Sequence, residues 1–155
     1  MRTLYPEYDV NYISGCMSLR PPQKRSLKIL DDILDELDLK KDADLDEAIE
    51  IVHDLFPTCT NFERNFMSLT FALATGVGKT RLMGAFITYL YTQHGIKNFF
   101  VVAPNLTIYE KLKKDLGDPS SEKYVFRGIG CFAQLQPNLI TGENYAEKGL
   151  MGGFS

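Results

Sequence analysis

The segment Ala74-Thr75-Gly76-Val77-Gly78-Lys79-Thr80 constrains this chain more than any other. It follows a short apolar run, Ser68-Leu-Thr-Phe-Ala-Leu-Ala74, and leads into a stretch with helical apolar spacing. A strand that ends in a glycine-rich turn and opens directly into a helix is a ready anion site. Gly76 and Gly78 let the backbone turn tightly, so that successive amides converge on one point. The helix N-terminus adds the positive end of its dipole. In such a loop Lys79 is expected to reach the β- and γ-phosphates of a nucleotide, and Thr80 to offer its hydroxyl to Mg2+. The full pattern Gly-x-x-x-x-Gly-Lys-[Ser/Thr] would start on a glycine where this chain has Leu73. That departure argues against kinases and small GTPases. The plainer alternative is a glycine turn that only starts a core helix. Gly-Lys-Thr, the preceding strand and the amphipathic stretch after it all favour the phosphate loop.

The flanking sequence predicts the frame around this loop. Lys79 to His94 reads as a helix with Leu82, Phe86, Tyr89 and Leu90 on one face, ended by Gly95. Asn98-Phe-Phe-Val-Val-Ala103 reads as a second buried strand stopped by Pro104. Strand, helix and strand at this spacing make a βαβ unit with a parallel pair. The expected fold class is therefore α/β, an incomplete parallel sheet preceded by two helices. The first opens at Pro21-Pro22 and carries Leu27, Leu30, Leu34 and Leu37, widened by Ile29 and Ile33. The second starts at Asp44 with Glu47 as capping-box partner, turns Leu45, Ala48, Ile49 and Val52 inward, and ends before Pro57. After the second strand, Thr107 and Glu110 form a Thr-x-x-Glu box at the head of a third helix that Gly117 closes. Lys123 to Arg127 and Leu139 to Thr141 read as further short strands. Residues 1–19 read as irregular. This gives an N-terminal extension over 1–67, a partial nucleotide-binding domain over 68–145, and an unassigned tail over 146–155.

Composition narrows the function less than the loop does. The net charge of −3 does not by itself point to nucleic acid. Ten acids and two lysines fall between Asp31 and Glu50, leaving 15 basic and 10 acidic residues elsewhere. The acidic stretch reads as the solvated faces of two helices. Cys16, Cys59 and Cys131 lie in no CxxC pair, so they suggest neither a zinc site nor a disulfide framework. His53 and His94 fall near helix ends and read as structural residues. No apolar run reaches the ~20 residues that span a bilayer, and the first residues lack a signal-peptide core, so a cytoplasmic location is expected.

Three segments in order resemble one family. Leu19-Arg-Pro-Pro-Gln23 is similar to the Leu-Arg-x-x-Gln opening upstream of the phosphate loop in superfamily 2 helicase-like proteins. Ala74 to Arg81 resembles the P-loop of type I and type III restriction-enzyme motor subunits. Val101-Val-Ala-Pro-Asn-Leu106 resembles motif Ia, at the end of the second strand. Together they resemble the Res subunit of type III restriction endonucleases and relatives described as DEAD/DEAH-box helicases, over about residues 19–145. The resemblance implies a RecA-like P-loop NTPase domain, with ATP and Mg2+ as cofactors. It implies nucleotide contact by Arg20, Gln23, Thr75, Gly76, Val77, Gly78, Lys79, Thr80 and Arg81. Gln23 would read the adenine edge, which a carboxamide can do with one donor and one acceptor. Arg20 would support that pocket, and Thr80 would ligate Mg2+. Pro104, Asn105 and Leu106 would face the backbone of a DNA strand. DNA is the implied partner, with a Mod-like DNA methyltransferase subunit by analogy, and no membrane is implied.

A motor of this kind also needs an acidic pair behind a strand and arginines from a second RecA-like domain. No four-residue apolar run followed by Asp-Glu occurs downstream of Thr80, and Asp115 and Asp118 belong to a lysine-rich helical stretch. The expectation is thus the ATP-binding front part of a longer DNA translocase or helicase, with no catalytic residue assigned. Two other readings stay open. One is a vestigial phosphate loop in a protein-interaction module whose acidic helices bind a basic partner. The other is a different P-loop NTPase, such as a small-molecule kinase.

Overall fold

The structure is a computed structural model and describes residues 5–39 and 43–148. Residues up to Gly95 form one compact unit and residues from Ile96 form another. Among the described residues there are seven helices and no strand.

The first unit is built on four helices: α1 (Val10–Cys16), α2 (Pro21–Glu36), α3 (Leu45–Leu55) and α4 (Lys79–His94). Helix α2 is central and packs against the other three, and α1 also packs on α4. The predicted leucine stripe of α2 is its buried face: Leu27, Leu30, Ile33, Leu34 and the capping Leu37 are all buried. Each such side chain contributes about 1.5–3 kcal/mol when removed from water. Pro21 opens the helix as expected. On the solvent side Lys28 pairs with Asp31 at 2.8 Å and Asp32 at 2.7 Å. Helix α3 is capped by the Asp44 carboxylate, which accepts from the N–H groups of Asp46 and Glu47. Glu47 therefore enters the cap through its backbone. Helix α4 has the predicted bounds, with left-handed glycines at both ends. Its buried face is Leu82, Gly84, Ala85, Thr88, Tyr89 and Thr92, while Phe86 and Leu90 are half-buried. The hydroxyls of Thr88 and Thr92 bond back to the carbonyls of Gly84 and Thr88, so neither is left unsatisfied inside.

Helix α1 corrects the reading of residues 1–19 as irregular. Asp9 caps it by accepting from the Tyr12 N–H at 2.7 Å. Val10, Ile13 and Ser14 are buried. Gln93 of α4 donates to the carbonyls of Tyr5 and Tyr8, tying the start of the chain to the end of α4.

The expected parallel sheet is absent among the described residues. Residues 68–74 and 98–103 take up no regular secondary structure. Phe100 is 94% exposed and Val102 is 72% exposed, where buried strand positions had been expected. An apolar run marks a segment that can sit in a sheet core. It does not supply the neighbouring strands whose ladder bonds would hold it there. The 68–73 segment instead borders a cleft of about 790 Å3 whose other walls include Ile29 and Ile33 of α2 and Ile49 and Val52 of α3. Phe71 anchors the segment by packing on Phe86, ring centroids 4.9 Å apart.

The second unit holds α5 (Leu106–Gly117), α6 (Gly130–Gln134) and α7 (Tyr145–Lys148). Asn105, not Thr107, caps α5: its side chain accepts from the Ile108 N–H at 2.9 Å. The last helical residue is Gly117, where Leu139 packs so closely that a Cβ would not fit. Lys123–Arg127 forms turns, and 139–141 has no ladder partner, so neither is a strand. Phe126, Ile129 and Phe132 are buried, the rings of Phe126 and Phe132 meeting edge to face with centroids 5.0 Å apart, and Leu112 and Leu116 of α5 are buried as well.

Candidate nucleotide-binding loop

The loop that the sequence singled out is the entry to α4. Gly76 has φ +81° and Gly78 has φ +92°, ψ +53°. Both lie in the left-handed region that disfavours side chains. Two such residues just before a helix bend the chain so that several N–H groups can face one side. Gly78 is the N-cap of α4, and its carbonyl accepts the Leu82 N–H at 3.2 Å. The first N–H groups of any α-helix have no acceptor within the helix, so Lys79, Thr80 and Arg81 bring theirs to this end.

The carbonyls of the loop are held by α2 and the residue before it. Gln23 Nε2 donates to the Gly78 carbonyl at 2.8 Å, and Arg20 Nη1 donates to the Gly76 carbonyl at 3.1 Å. Gln23 Oε1 accepts the Arg20 N–H at 2.8 Å, fixing the carboxamide's rotation. The guanidinium of Arg20 has no acceptor, so it cannot return a capping bond to the helix. Its donors turn to Gly76 instead. Gln23 is 1% exposed. A Cβ on Gly78 would lie 2.7 Å from Gln23 Nε2, closer than any real contact. The glycine therefore meets two demands at once, the left-handed φ and the close approach of the glutamine.

The remaining candidates divide. Lys79 Nζ donates to the Ala74 carbonyl at 3.2 Å, folding its exposed ammonium over the loop. Thr75 is exposed, and Val77 and Thr80 are half-buried. Arg81 Nη1 donates to the Met17 carbonyl at 3.0 Å, joining α4 to the C-cap of α1. Pro104, Asn105 and Leu106 belong to the second unit, exposed at the head of α5. Arg20, Gln23 and the loop are thus brought together within the first unit. Met17 was missed from sequence, because a backbone carbonyl leaves no mark in residue type.

Residues 16–148 match the family model of the type III restriction enzyme, res subunit. The chain belongs to this family. The Res-family match takes in the whole of α2 to α7, and with them the loop, Arg20 and Gln23. No curated protein and no solved structure matches the chain. Among the described residues no helix is long and apolar enough to cross a membrane.

Proposed function

We propose that this Res-family chain grips the triphosphate of a nucleotide, with Mg2+, on the loop from Thr75 to Arg81. On this reading it is the nucleotide-binding part of an ATP-dependent DNA translocase. The observation that carries the reading is the pair of left-handed glycines at the head of the 16-residue α4, with both their carbonyls tied to Arg20 and Gln23. Carbonyls held by donors cannot turn toward an anion, which leaves the amide face for phosphate oxygens. The residues present fit such a ligand. Lys79 can exchange the neutral Ala74 carbonyl for a charged phosphate oxygen, a stronger acceptor. Thr80, at the second position of α4, supplies a hydroxyl for the metal. Bound Mg2+ would neutralise charge on the terminal phosphates. DNA contact by Pro104, Asn105 and Leu106 extends the reading, through backbone amides and short polar groups.

Thermal unfolding of the full chain with and without Mg·ATP tests the proposal. Ligand at about 100 times its Kd stabilises the folded state by about 2.7 kcal/mol. The expected result is a concentration-dependent rise in Tm that Lys79→Ala removes. A wild-type Tm indifferent to saturating Mg·ATP would reject the phosphate site and favour the interaction-module reading.

A further inference from the structure

We propose that residues 98–102 are an interface at which a second copy of this chain pairs, strand to strand, in an antiparallel register centred on Val101. The proposal stands apart from the phosphate-site reading and uses none of its residues.

The run Asn98-Phe-Phe-Val-Val-Ala103 carries no charge and is rich in aromatic and β-branched residues, which pack well in a strand. Its side chains alternate in exposure: Phe99 36%, Phe100 94%, Val101 39% and Val102 72%. A period of two is the strand period. Yet no described residue forms a backbone hydrogen bond with the run. Uncharged, β-prone backbone without ladder partners is a template for a further strand. The patch reaches past the run, since the exposed Ile140 lines the same groove of about 260 Å3 as Phe99, Phe100 and Val101.

Charge and register name the occupant. A second copy meets this run with an uncharged run of its own, and a twofold axis makes the contact self-complementary. The axis must pass through a residue, because a one-residue slip sets the exposed face of one strand against the other face of its twin. About Val101, Phe100 of each copy lies opposite Val102 of the other, so the two most exposed side chains cover each other twice. Aromatic with β-branched is a favourable cross-strand pair. Phe99 falls opposite Ala103, and Lys97 opposite Asn105, so the lysines do not meet. Pro104, which has no N–H, ends the ladder opposite Asn98. The run and the groove together fall short of the about 20–30 residues a side of a standard interface, so the dimer is weak and reversible.

Sedimentation velocity of the full chain over a wide concentration range is the test. The expected result is a reversible monomer–dimer equilibrium. Val102→Lys should raise the dimer Kd about tenfold or more, since it breaks both Phe100–Val102 pairs at once, with an unchanged circular-dichroism melt. Val101→Cys lies on the axis beside its twin, so mild oxidation should crosslink it well above the wild-type baseline of Cys16, Cys59 and Cys131. Val102→Cys, two residues out of step with its twin, should crosslink poorly. A wild-type chain that stays monomeric, a dimer indifferent to Val102→Lys, or species that grow past the dimer with concentration would each overturn the proposal. If Val102→Lys does not fold, the crosslinking pair still decides, because equal yields at 101 and 102 contradict the register.

Discussion

The Tyr89 hydroxyl donates to Asp31 Oδ1 at 2.6 Å, joining α4 to α2 three turns beyond the point where Gln23 meets Gly78. The helix that begins at the glycine loop is therefore fastened to α2 near both of its ends. Tyr89 is 2% exposed, and burial followed by the Asp31 hydrogen bond pushes its phenol well above the usual range. Asp31 is held in turn by Lys28.

Tyr89→Phe keeps the ring and removes only the donor. A hydrogen bond to a charged partner contributes about 1.5–3 kcal/mol. The urea midpoint should fall by an amount in that range with the slope unchanged. An unchanged midpoint would show that Lys28 alone satisfies Asp31.

Gly76→Ala and Gly78→Ala separate strain from collision. Both positions have positive φ, which costs a residue with a side chain about 1–2 kcal/mol. At Gly76 nothing lies within 4 Å of an added Cβ, whereas at Gly78 it meets Gln23 Nε2. The Gly78 variant should be the less stable of the two. Gln23→Ala combined with Gly78→Ala should lose less stability than the two single changes added together, because the collision disappears. Strict additivity in chemical denaturation would break the claimed coupling.

What the sequence made legible follows the range of the forces involved. Helices α2, α3 and α4 were readable because stripe, cap and stop are all local. Pro21, Asp44 and Gly95 each act within a turn of themselves. The glycine loop was readable for the same reason. The segments Ser68–Ala74 and Asn98–Ala103 misled because a strand is a property of its neighbours, and composition names no neighbour. Helix α1 was overlooked because Asn11, Tyr12 and Gly15 are weak helix formers, and only Asp9 betrays its start. Gln23 was expected at an adenine edge, and the structure shows its side chain bonded to the loop at the Gly78 carbonyl. The bond to Gly78 spans 55 residues of sequence and could be seen only in three dimensions.

His94 gives the first unit a mild acid sensitivity. Burial, the dominant influence, pushes its pKa below 6.5, while Asp31, Asp35 and Asp38 pull it upward. The Tyr89 hydroxyl hydrogen is committed to Asp31, so His94 Nε2, 3.4 Å away, is the donor of that pair. A histidine whose folded pKa is depressed contributes stability above its unfolded value. That contribution is lost as pH falls through 6.5 toward the folded value, because the unfolded chain takes up the proton first. The urea midpoint should decline between neutral pH and about pH 5. His94→Gln should show a shallower decline. Parallel curves for the two proteins would remove His94 from the account.

Asn105 is the residue at which a structural and a DNA-facing role can be told apart. Its side chain caps α5 through the Ile108 N–H, so Asn105→Ala should cost about 1 kcal/mol in stability. Asn105→Asp keeps a capping acceptor and gains from the positive end of the helix dipole, so its stability should match or exceed wild type. The same substitution places a negative charge where a phosphodiester would lie. If Asn105 faces DNA, the aspartate variant should bind a duplex more weakly in low-salt anisotropy, where phosphate contacts weigh most. Undiminished DNA binding by a fully stable Asn105→Asp chain would leave the residue its cap and nothing more.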